Sequence, residues 1–106
     1  MKDLNYLRLL DAYGVLLNDH RREVCELYYQ CDLSLTEIAE QKGISKQSIS
    51  DSLARSRALL DGYEAKLHFV ARMRAAEEGL ATLAKQFPAC AEEAERLAAS
   101  LRGYEA

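Results

Sequence analysis

Residues 34–60 of the 106-residue chain read SLTEIAEQKGISKQSISDSLARSRALL, and this stretch decides the fold. Ser34 and Glu37 have the spacing of a capping box, in which the serine hydroxyl accepts from an amide three residues on and the glutamate reaches back. Gly43 stands where a left-handed residue ends a short helix, and Ser45 can cap the helix that follows. The spacing therefore predicts two helices joined by a tight turn, which is the helix-turn-helix motif.

The apolar residues of the same stretch agree with this prediction. Ala39 is small at the position where the two helices cross. We expect four larger residues to fill the wedge between the helices: Ile38, Ile44, Ile49 and Leu53. The alternative interpretation is an ordinary helical hairpin with a fortuitous glycine.

The composition extends the helical prediction to the whole chain. The sequence has 17 Leu and 16 Ala but only 3 Val, 3 Ile and 2 Thr, which favours helices over strands. Apolar spacing predicts one helix over residues 4–17, and Asn18 can cap a second helix that ends near Asp32. The predicted fold class is all-α, with these two helices buttressing the helix-turn-helix and a long helical extension after it.

The extension follows the helix that starts at Ser45, in which nothing clearly breaks the periodicity for about thirty residues. The apolar stripe changes face near His68, so the helix either continues with a rotated apolar side or bends there. Pro88 fits the first turn of a last helix, with Arg102 late in it. We expect a single domain over residues 1–106, with the helix-turn-helix at about 18–60 and the extension at about 61–103.

The extension is also where we expect a homodimer contact. Leucines seven residues apart form a seam typical of helix pairing, and a second apolar stripe follows on the shifted face. The predicted dimer residues are Leu60, Tyr63, Leu67, Val70, Leu80, Leu83 and Phe87. The alternative is that the N-terminal helices or the last helix cover these faces within one chain.

A nucleic-acid interface is predicted at the start of the second helix of the motif. Its candidate residues are Ser45, Lys46, Gln47, Ser48, Ser50, Asp51, Arg55 and Arg57. Glutamine can read adenine and lysine can bind guanine or phosphate, whereas Asp51 repels phosphates unless it accepts from a cytosine amino group. Because 14 basic and 17 acidic side chains give a net charge of -3, binding requires a local patch.

Other classes of protein are disfavoured by what the sequence lacks. No nucleophile with a base and no glycine-rich phosphate loop is present, so we expect no enzyme and no cofactor. The cysteines Cys25, Cys31 and Cys90 are odd in number, and His20 and His68 stand alone, so we expect neither a disulfide nor a metal site. Cys25 and Cys31 are predicted to be small buried residues. No apolar run reaches bilayer length, which predicts a cytoplasmic protein without membrane insertion.

Residues 17–60 resemble region four of bacterial sigma factors. The matching segments are Arg22-Glu23-Val24, the Leu33-Ser34 start with Glu37, Ile38 and Ala39, and Gly43-Ile44-Ser45. Residues 4–70 are similar to the small YlxM family. The segments that carry this resemblance are Leu27-Tyr28-Tyr29, Ser45-Lys46-Gln47, Asp51 and the stretch from Tyr63 through Lys66 to His68. The resemblance implies a non-enzymatic cytoplasmic bacterial protein that acts with or regulates the signal recognition particle pathway.

The functional hypothesis is a regulatory nucleic-acid-binding module, with DNA and RNA both open as ligands. Two alternatives remain. One is a DNA-binding transcription regulator. The other is a protein-protein adaptor, whose acidic surface meets a basic partner such as the particle's protein or its receptor.

Overall fold

The computed structural model of the protein describes residues 3–101, and every regular element in this range is helical. The α-helices are α1 (Leu4–Tyr13), α2 (Asp19–Cys25), α3 (Leu35–Lys42), α4 (Lys46–Leu67), α5 (Phe69–Gln86) and α6 (Ala91–Leu101). The chain divides into two compact units between His68 and Phe69. This boundary lies inside the predicted extension, a few residues after its predicted start. The prediction of an all-α helix-turn-helix fold is confirmed.

The first unit holds nearly all of the buried apolar side chains in the described part of the chain. Helix α4 packs against α1, α2 and α3, so each of the three shorter helices covers part of it. The buried residues of this unit are Leu9, Leu10, Tyr13, Leu17, Val24, Cys25, Tyr29, Ile38, Ala39, Ile49, Leu53 and Leu60. A single core formed from four helices therefore fixes the position of α4.

The two N-terminal helices are shorter than predicted because other helical turns follow them. α1 ends at Tyr13 and continues as a 3-10 turn, Gly14–Leu16. α2 is capped by Asn18, as predicted, and continues as a π-helical turn, Glu26–Gln30. Asp32 then takes a left-handed conformation with φ 57°, which ends this segment at the predicted place.

The helix-turn-helix has the predicted caps. The Ser34 amide donates to Glu37 Oε1 over 3.0 Å, and the Glu37 amide donates to Ser34 Oγ over 3.1 Å, which completes the capping box. Gly43 is left-handed with φ 68°, and the Ile44 amide donates to the Ala39 carbonyl, as in a Schellman turn. The prediction that Ile44 fills the wedge is wrong, because its side chain is exposed. Ile44 directly follows the left-handed residue Gly43 and lies between the two helices rather than in either of them.

The long helix after Ser45 is interrupted at His68. His68 has φ 52°, and its amide donates to the Glu64 carbonyl over 2.8 Å, which is the αL form of a helix end. Of the two alternatives that the sequence left open, a continuous helix with a rotated apolar face is therefore wrong. The helix stops where the apolar stripe changes face.

The heptad seam of α4 lies largely inside the first unit. Leu53 and Leu60 are fully buried, because α1 and α2 pack on this side of α4. The prediction that Leu60 belongs to a dimer surface is therefore wrong. Tyr63 is half-buried with its ring 5.9 Å from that of Tyr13, and Leu67 is exposed. The N-terminal helices cover the start of the seam within one chain.

The second unit is a hairpin of α5 and α6. The two helices pack on each other, and Pro88 opens a 3-10 turn, Pro88–Cys90, that leads into α6. Glu92 and Glu93 lie in the first turn of α6, where the positive end of the helix dipole favours acidic side chains. The last two residues of the predicted extension, Arg102 and Gly103, lie outside the described residues.

The three cysteines occupy different environments. Cys25 is fully buried, as predicted, and burial raises the pKa of its thiol. The prediction that Cys31 is buried is wrong: it is exposed, because it follows the π-helical turn directly and lies outside the core. Cys90 is half-buried, and its thiol contacts the Phe87 carbonyl oxygen at 3.1 Å.

Candidate nucleic-acid interface

The start of α4 is a well-defined helix terminus that faces solvent. Ser45 Oγ accepts from the Ser48 amide over 3.0 Å and donates to Ser48 Oγ over 2.9 Å. Both serines are therefore committed to the cap, although both are exposed. The first residues of α4 are held in place from their first turn, because the cap satisfies one of the free amides of the helix end.

The exposed polar residues of α4 form a stripe on the side away from the core. Gln47, Asp51 and Arg55 follow each other at four-residue intervals, so they share one face of the helix. Lys46 is exposed at the first helical position, about 100° around the helix from Gln47. Four of the eight predicted interface residues are thus exposed on the first three turns of α4, three of them on one side of the helix. We call Lys46, Gln47, Asp51 and Arg55 the α4 face.

Two members of the α4 face are already hydrogen-bonded to each other. Gln47 Nε2 donates to Asp51 Oδ1 over 2.9 Å. A glutamine that reads adenine uses its amide nitrogen and oxygen together, so this contact must open before such a pair can form. The same contact occupies part of the Asp51 carboxylate, which is the only acidic group of the α4 face.

Ser50 and Arg57 lie elsewhere on α4. Ser50 is half-buried, and Arg57 is half-buried about 200° around the helix from Arg55. Arg57 Nη1 donates to Tyr29 Oη over 3.1 Å, and this hydrogen bond raises the pKa of the guanidinium further above its usual value. The sequence predicted Arg57 as an interface residue. In the structure, the hydrogen bond to Tyr29 turns the Arg57 side chain toward α1 and the π-helical turn instead.

A group of tyrosines surrounds Arg57. The Tyr6 and Tyr29 rings stack at 5.9 Å, and Tyr28 meets Tyr29 edge-on at 5.0 Å. Tyr29 is buried and Tyr28 half-buried, as expected for neighbours that diverge on a helix. The Tyr6 hydroxyl donates to Asp61 Oδ2 over 2.8 Å, and this hydrogen bond, with burial, raises the pKa of Tyr6 to about 12.

Sequence reasoning missed these contacts, and no local pattern could have revealed them. Tyr6 and Asp61 are 55 residues apart, and Tyr13, whose hydroxyl donates to Glu64, is 51 residues from its partner. Only the four-residue and three-residue spacings within one helix can be read directly. Arg57 in particular is indistinguishable from Arg55 in the sequence.

Further basic residues near the motif are paired with acids. Lys42 Nζ lies 2.9 Å from Glu23 Oε2, and its side chain is only 15% exposed. Arg22 Nε lies 3.6 Å from Glu26 Oε1. The positive charge that the α4 face offers to a ligand therefore comes mainly from Lys46 and Arg55.

Comparison with known proteins supports the fold. Residues 1–99 match the UPF0122 family model, described as "Putative helix-turn-helix protein, YlxM / p13 like". A UPF0122 protein of Streptococcus gordonii is 38% identical over 80 residues, which are 76% of this chain and 73% of the relative. One from Lactococcus lactis subsp. cremoris is 39% identical over 80 residues, or 76% of this chain and 72% of the relative.

A third relative, the UPF0122 protein gbs1018 of Streptococcus agalactiae serotype III, is 45% identical over 60 residues. The alignment covers 57% of this chain and 54% of the relative, so it spans about half the length of that protein. In the described residues 3–101, no helix is both long and apolar enough to cross a membrane.

The family match extends over nearly the whole chain and agrees with the motif at 34–60. The chain belongs to the UPF0122 family of YlxM-like and p13-like helix-turn-helix proteins.

Proposed function

We propose that the protein is a non-enzymatic, cytoplasmic regulator that binds nucleic acid through the α4 face. The observation that supports this proposal best is the capped start of α4, which carries Lys46, Gln47 and Arg55 exposed on the second helix of a helix-turn-helix. In such motifs the start of this helix enters the major groove and contacts base edges and phosphates. An exposed basic residue at each end of a short polar segment has the composition that this contact requires.

The electrostatic part of this binding is small. With Lys46 and Arg55 as the only two phosphate contacts, the logarithm of the binding constant falls with the logarithm of salt concentration with a slope of about -1.8 for duplex DNA. The net charge of -3 reduces the long-range attraction further. We therefore expect binding that is measurable at low salt and weak at physiological salt for a single copy.

The charge-reversed double variant Lys46→Glu with Arg55→Glu tests the interface. We expect it to weaken binding to a labelled duplex DNA or a labelled RNA hairpin by more than about tenfold at low salt, measured by fluorescence anisotropy. Its melting temperature should change little, because both side chains are exposed. Running the two probes side by side tells DNA from RNA.

The matched control is Lys85→Glu with Arg96→Glu, which makes the same change in net charge at exposed sites of the second unit. We expect this variant to bind almost as well as the wild type. Equal losses in both variants would attribute binding to total charge and contradict the proposed interface. A wild-type protein that binds neither probe at low salt would contradict the proposal as a whole.

The proposal extends to the signal recognition particle pathway as the cellular context. Its support is the resemblance of residues 4–70 to the YlxM family, together with the family match over residues 1–99. Purifying the tagged protein from its host and sequencing the attached RNA tests this step. Enrichment of the particle's RNA with the wild type, and its loss with Lys46→Glu and Arg55→Glu, is the expected result. RNA without that enrichment contradicts the link to the pathway.

A protein-protein adaptor is the second candidate, and the internal pairing of Lys42, Arg22 and Arg57 favours it. Lys42 and Arg22 are engaged with Glu23 and Glu26, and Arg57 is engaged with Tyr29. The net charge of -3 leaves acidic side chains in excess over the whole chain. A basic protein partner, such as the particle's protein or its receptor, suits this balance. The double variant Lys46→Glu with Arg55→Glu separates the candidates, because added negative charge should strengthen binding to a basic protein while it weakens binding to nucleic acid.

A further inference from the structure

The apolar face of α5 is wider than α6 can cover. Val70, Met73, Leu80 and Ala84 are half-buried along one side of α5. A neighbouring row stays largely open to solvent on the same helix: Leu83 is 46% and Phe87 is 58% exposed. The hairpin therefore covers one edge of this face and leaves the other edge exposed.

The two sides of the hairpin differ in chemistry. One groove between α5 and α6 contains no charged side chain; it is lined by Ala76, Gly79, Leu80, Leu83, Leu97, Ser100 and Leu101. The groove on the other side includes four charged residues: Glu77, Glu78, Lys85 and Glu95. Leu97, on the uncharged side, is 56% exposed. We call the uncharged side the apolar groove.

The hairpin needs a permanent cover rather than a transient one. Among its described residues, 69–101, only Ala94 is a buried apolar side chain. Two helices with so small a core do not fold stably in water, since helix stability in proteins comes mainly from packing of the apolar face. Chains of fewer than about 40 residues usually need oligomerisation, a metal or disulfides to fold. An occupant that is present whenever the chain is present meets this need.

We propose that a second copy of the hairpin covers the apolar groove, forming a homodimer with four packed helices. The 18 residues of α5 are about 27 Å long, and a pair of helices is about 20 Å wide. Two such faces bury about 1,100 Å² in total, which just exceeds the minimum of about 1,000 Å² for a specific interface. The hairpin carries five acidic and four basic residues over 69–101, so two copies meet with little repulsion.

Small residues at the groove favour close packing of the second copy. A Cβ added at Gly79 would have no atom within 4 Å, so the space above this residue is open, and Ala76 lies one turn away. A helix from a second copy can approach closely there, as helices do over small residues. The proposal keeps Leu80, Leu83 and Phe87 as dimer residues and moves the contact from the α4 seam to the hairpin. It does not depend on the proposed function, because the α4 face lies in the other unit.

The mass of the full chain in solution tests this proposal. We expect twice the 11.9 kDa of one chain by light scattering at micromolar concentration. Leu83→Glu with Leu97→Glu should halve the mass, because both changes place charge in the apolar groove. Ala71→Glu with Ala75→Glu is the matched control, since both alanines are exposed on α5 and neither lines a groove between α5 and α6. The control should keep the mass of the wild type.

Hydrogen exchange of the wild type tests the proposal independently, in case Leu83→Glu with Leu97→Glu unfolds the hairpin. We expect dilution of the wild type to speed exchange of amides in α5 and α6, while amides in α3 and the first half of α4 keep their protection. A wild-type mass of one chain that persists on concentrating overturns the proposal. It would mean that the apolar groove is covered within one chain. A dimer that survives Leu83→Glu with Leu97→Glu, or that is lost in the alanine control, also overturns it.

Discussion

Two tyrosine hydroxyls connect α1 to α4 through carboxylates. Tyr6 donates to Asp61 and Tyr13 donates to Glu64, so both contacts join a neutral donor to an ionised acceptor. Hydrogen bonds to charged groups stabilise more than those between neutral groups, but exposure of the Tyr6 contact reduces its effect. Their main consequence is positional. The two acceptors lie about one turn apart on α4, so the two contacts together fix where α1 lies along α4.

The stability of the protein should fall between about pH 10 and pH 12 through Tyr6. Its pKa is raised from 10.0 to about 12 because the hydroxyl donates to Asp61, so the folded protein keeps a proton that the unfolded chain loses. The contribution is complete below pH 10 and is lost as the pH rises through the folded pKa. Tyr6→Phe should therefore lower the melting temperature at pH 8 and flatten its dependence above pH 10.

Ultraviolet titration provides the check on this assignment. The Tyr6 phenol should ionise near pH 12 in the wild type, and this part of the titration should be missing from Tyr6→Phe. A variant whose melting temperature falls as steeply above pH 10 as that of the wild type would contradict a role for Tyr6.

Leu60 and Leu67 are one heptad apart and should differ strongly in their effect on stability. Leu60→Ala leaves a cavity in a fully buried site, so we expect a loss of about 2–5 kcal/mol in the free energy of unfolding. Leu67 is 51% exposed, and Leu67→Ala should cost less than about 1 kcal/mol. Urea denaturation of both variants measures the difference, and equal losses would contradict the placement of Leu60 in the core.

At the scale of elements, helices of the first unit end through left-handed residues. Asp32, Gly43 and His68 have positive φ, and each directly follows a helical segment or its last turn. Only Gly43 adopts this conformation without steric cost, because a Cβ in the left-handed region crowds the following carbonyl oxygen. The turn of the helix-turn-helix therefore has the least strained of the three helix ends.

Two glycine-to-alanine changes should have effects of opposite sign. Gly43→Ala places a Cβ at φ 68° and should lower the free energy of unfolding by about 1 kcal/mol. Gly62 lies inside α4, where an added Cβ meets no atom within 4 Å, so Gly62→Ala should raise it by about 1 kcal/mol. Thermal melts of the two variants provide the comparison. Stabilisation by Gly43→Ala would contradict the left-handed turn.

Local signals account for the parts of the fold that the sequence predicted. The capping box at Ser34, the turn at Gly43 and the cap at Ser45 each depend on residues within four positions of one another. The π-helical turn and the burial of Leu60 depend on packing between segments far apart in the chain, which leaves no local pattern. The same holds in the candidate site, where Arg55 and Arg57 differ only in what α1 and the π-helical turn place beside them.

At the scale of the whole molecule, burial is distributed unevenly between the two units. Of the buried apolar side chains in residues 3–101, Ala94 alone belongs to the hairpin. The first unit therefore contains a core of its own, whereas the hairpin consists of two helices with open apolar edges.

Residues 1–68 should fold without the rest of the chain. Their core is formed by α1 to α4 alone, so we expect a helical circular dichroism spectrum and a cooperative thermal transition from this fragment. The fragment should also be monomeric. A broad, non-cooperative transition would instead mean that the core of the first unit requires residues 69–106.

The π-helical turn Glu26–Gln30 also has a consequence for comparing relatives. The Cys31 amide donates to the Glu26 carbonyl, five residues back, so this turn contains more residues than an α-helical turn of the same height. Deleting one residue there would restore a regular helix without shifting the capping box that starts α3. We therefore expect that family members with a one-residue gap at this point have a straight helix, with a different side chain at the position of Tyr29. In an alignment, such a gap would mark the gain or loss of the tyrosine that contacts Arg57.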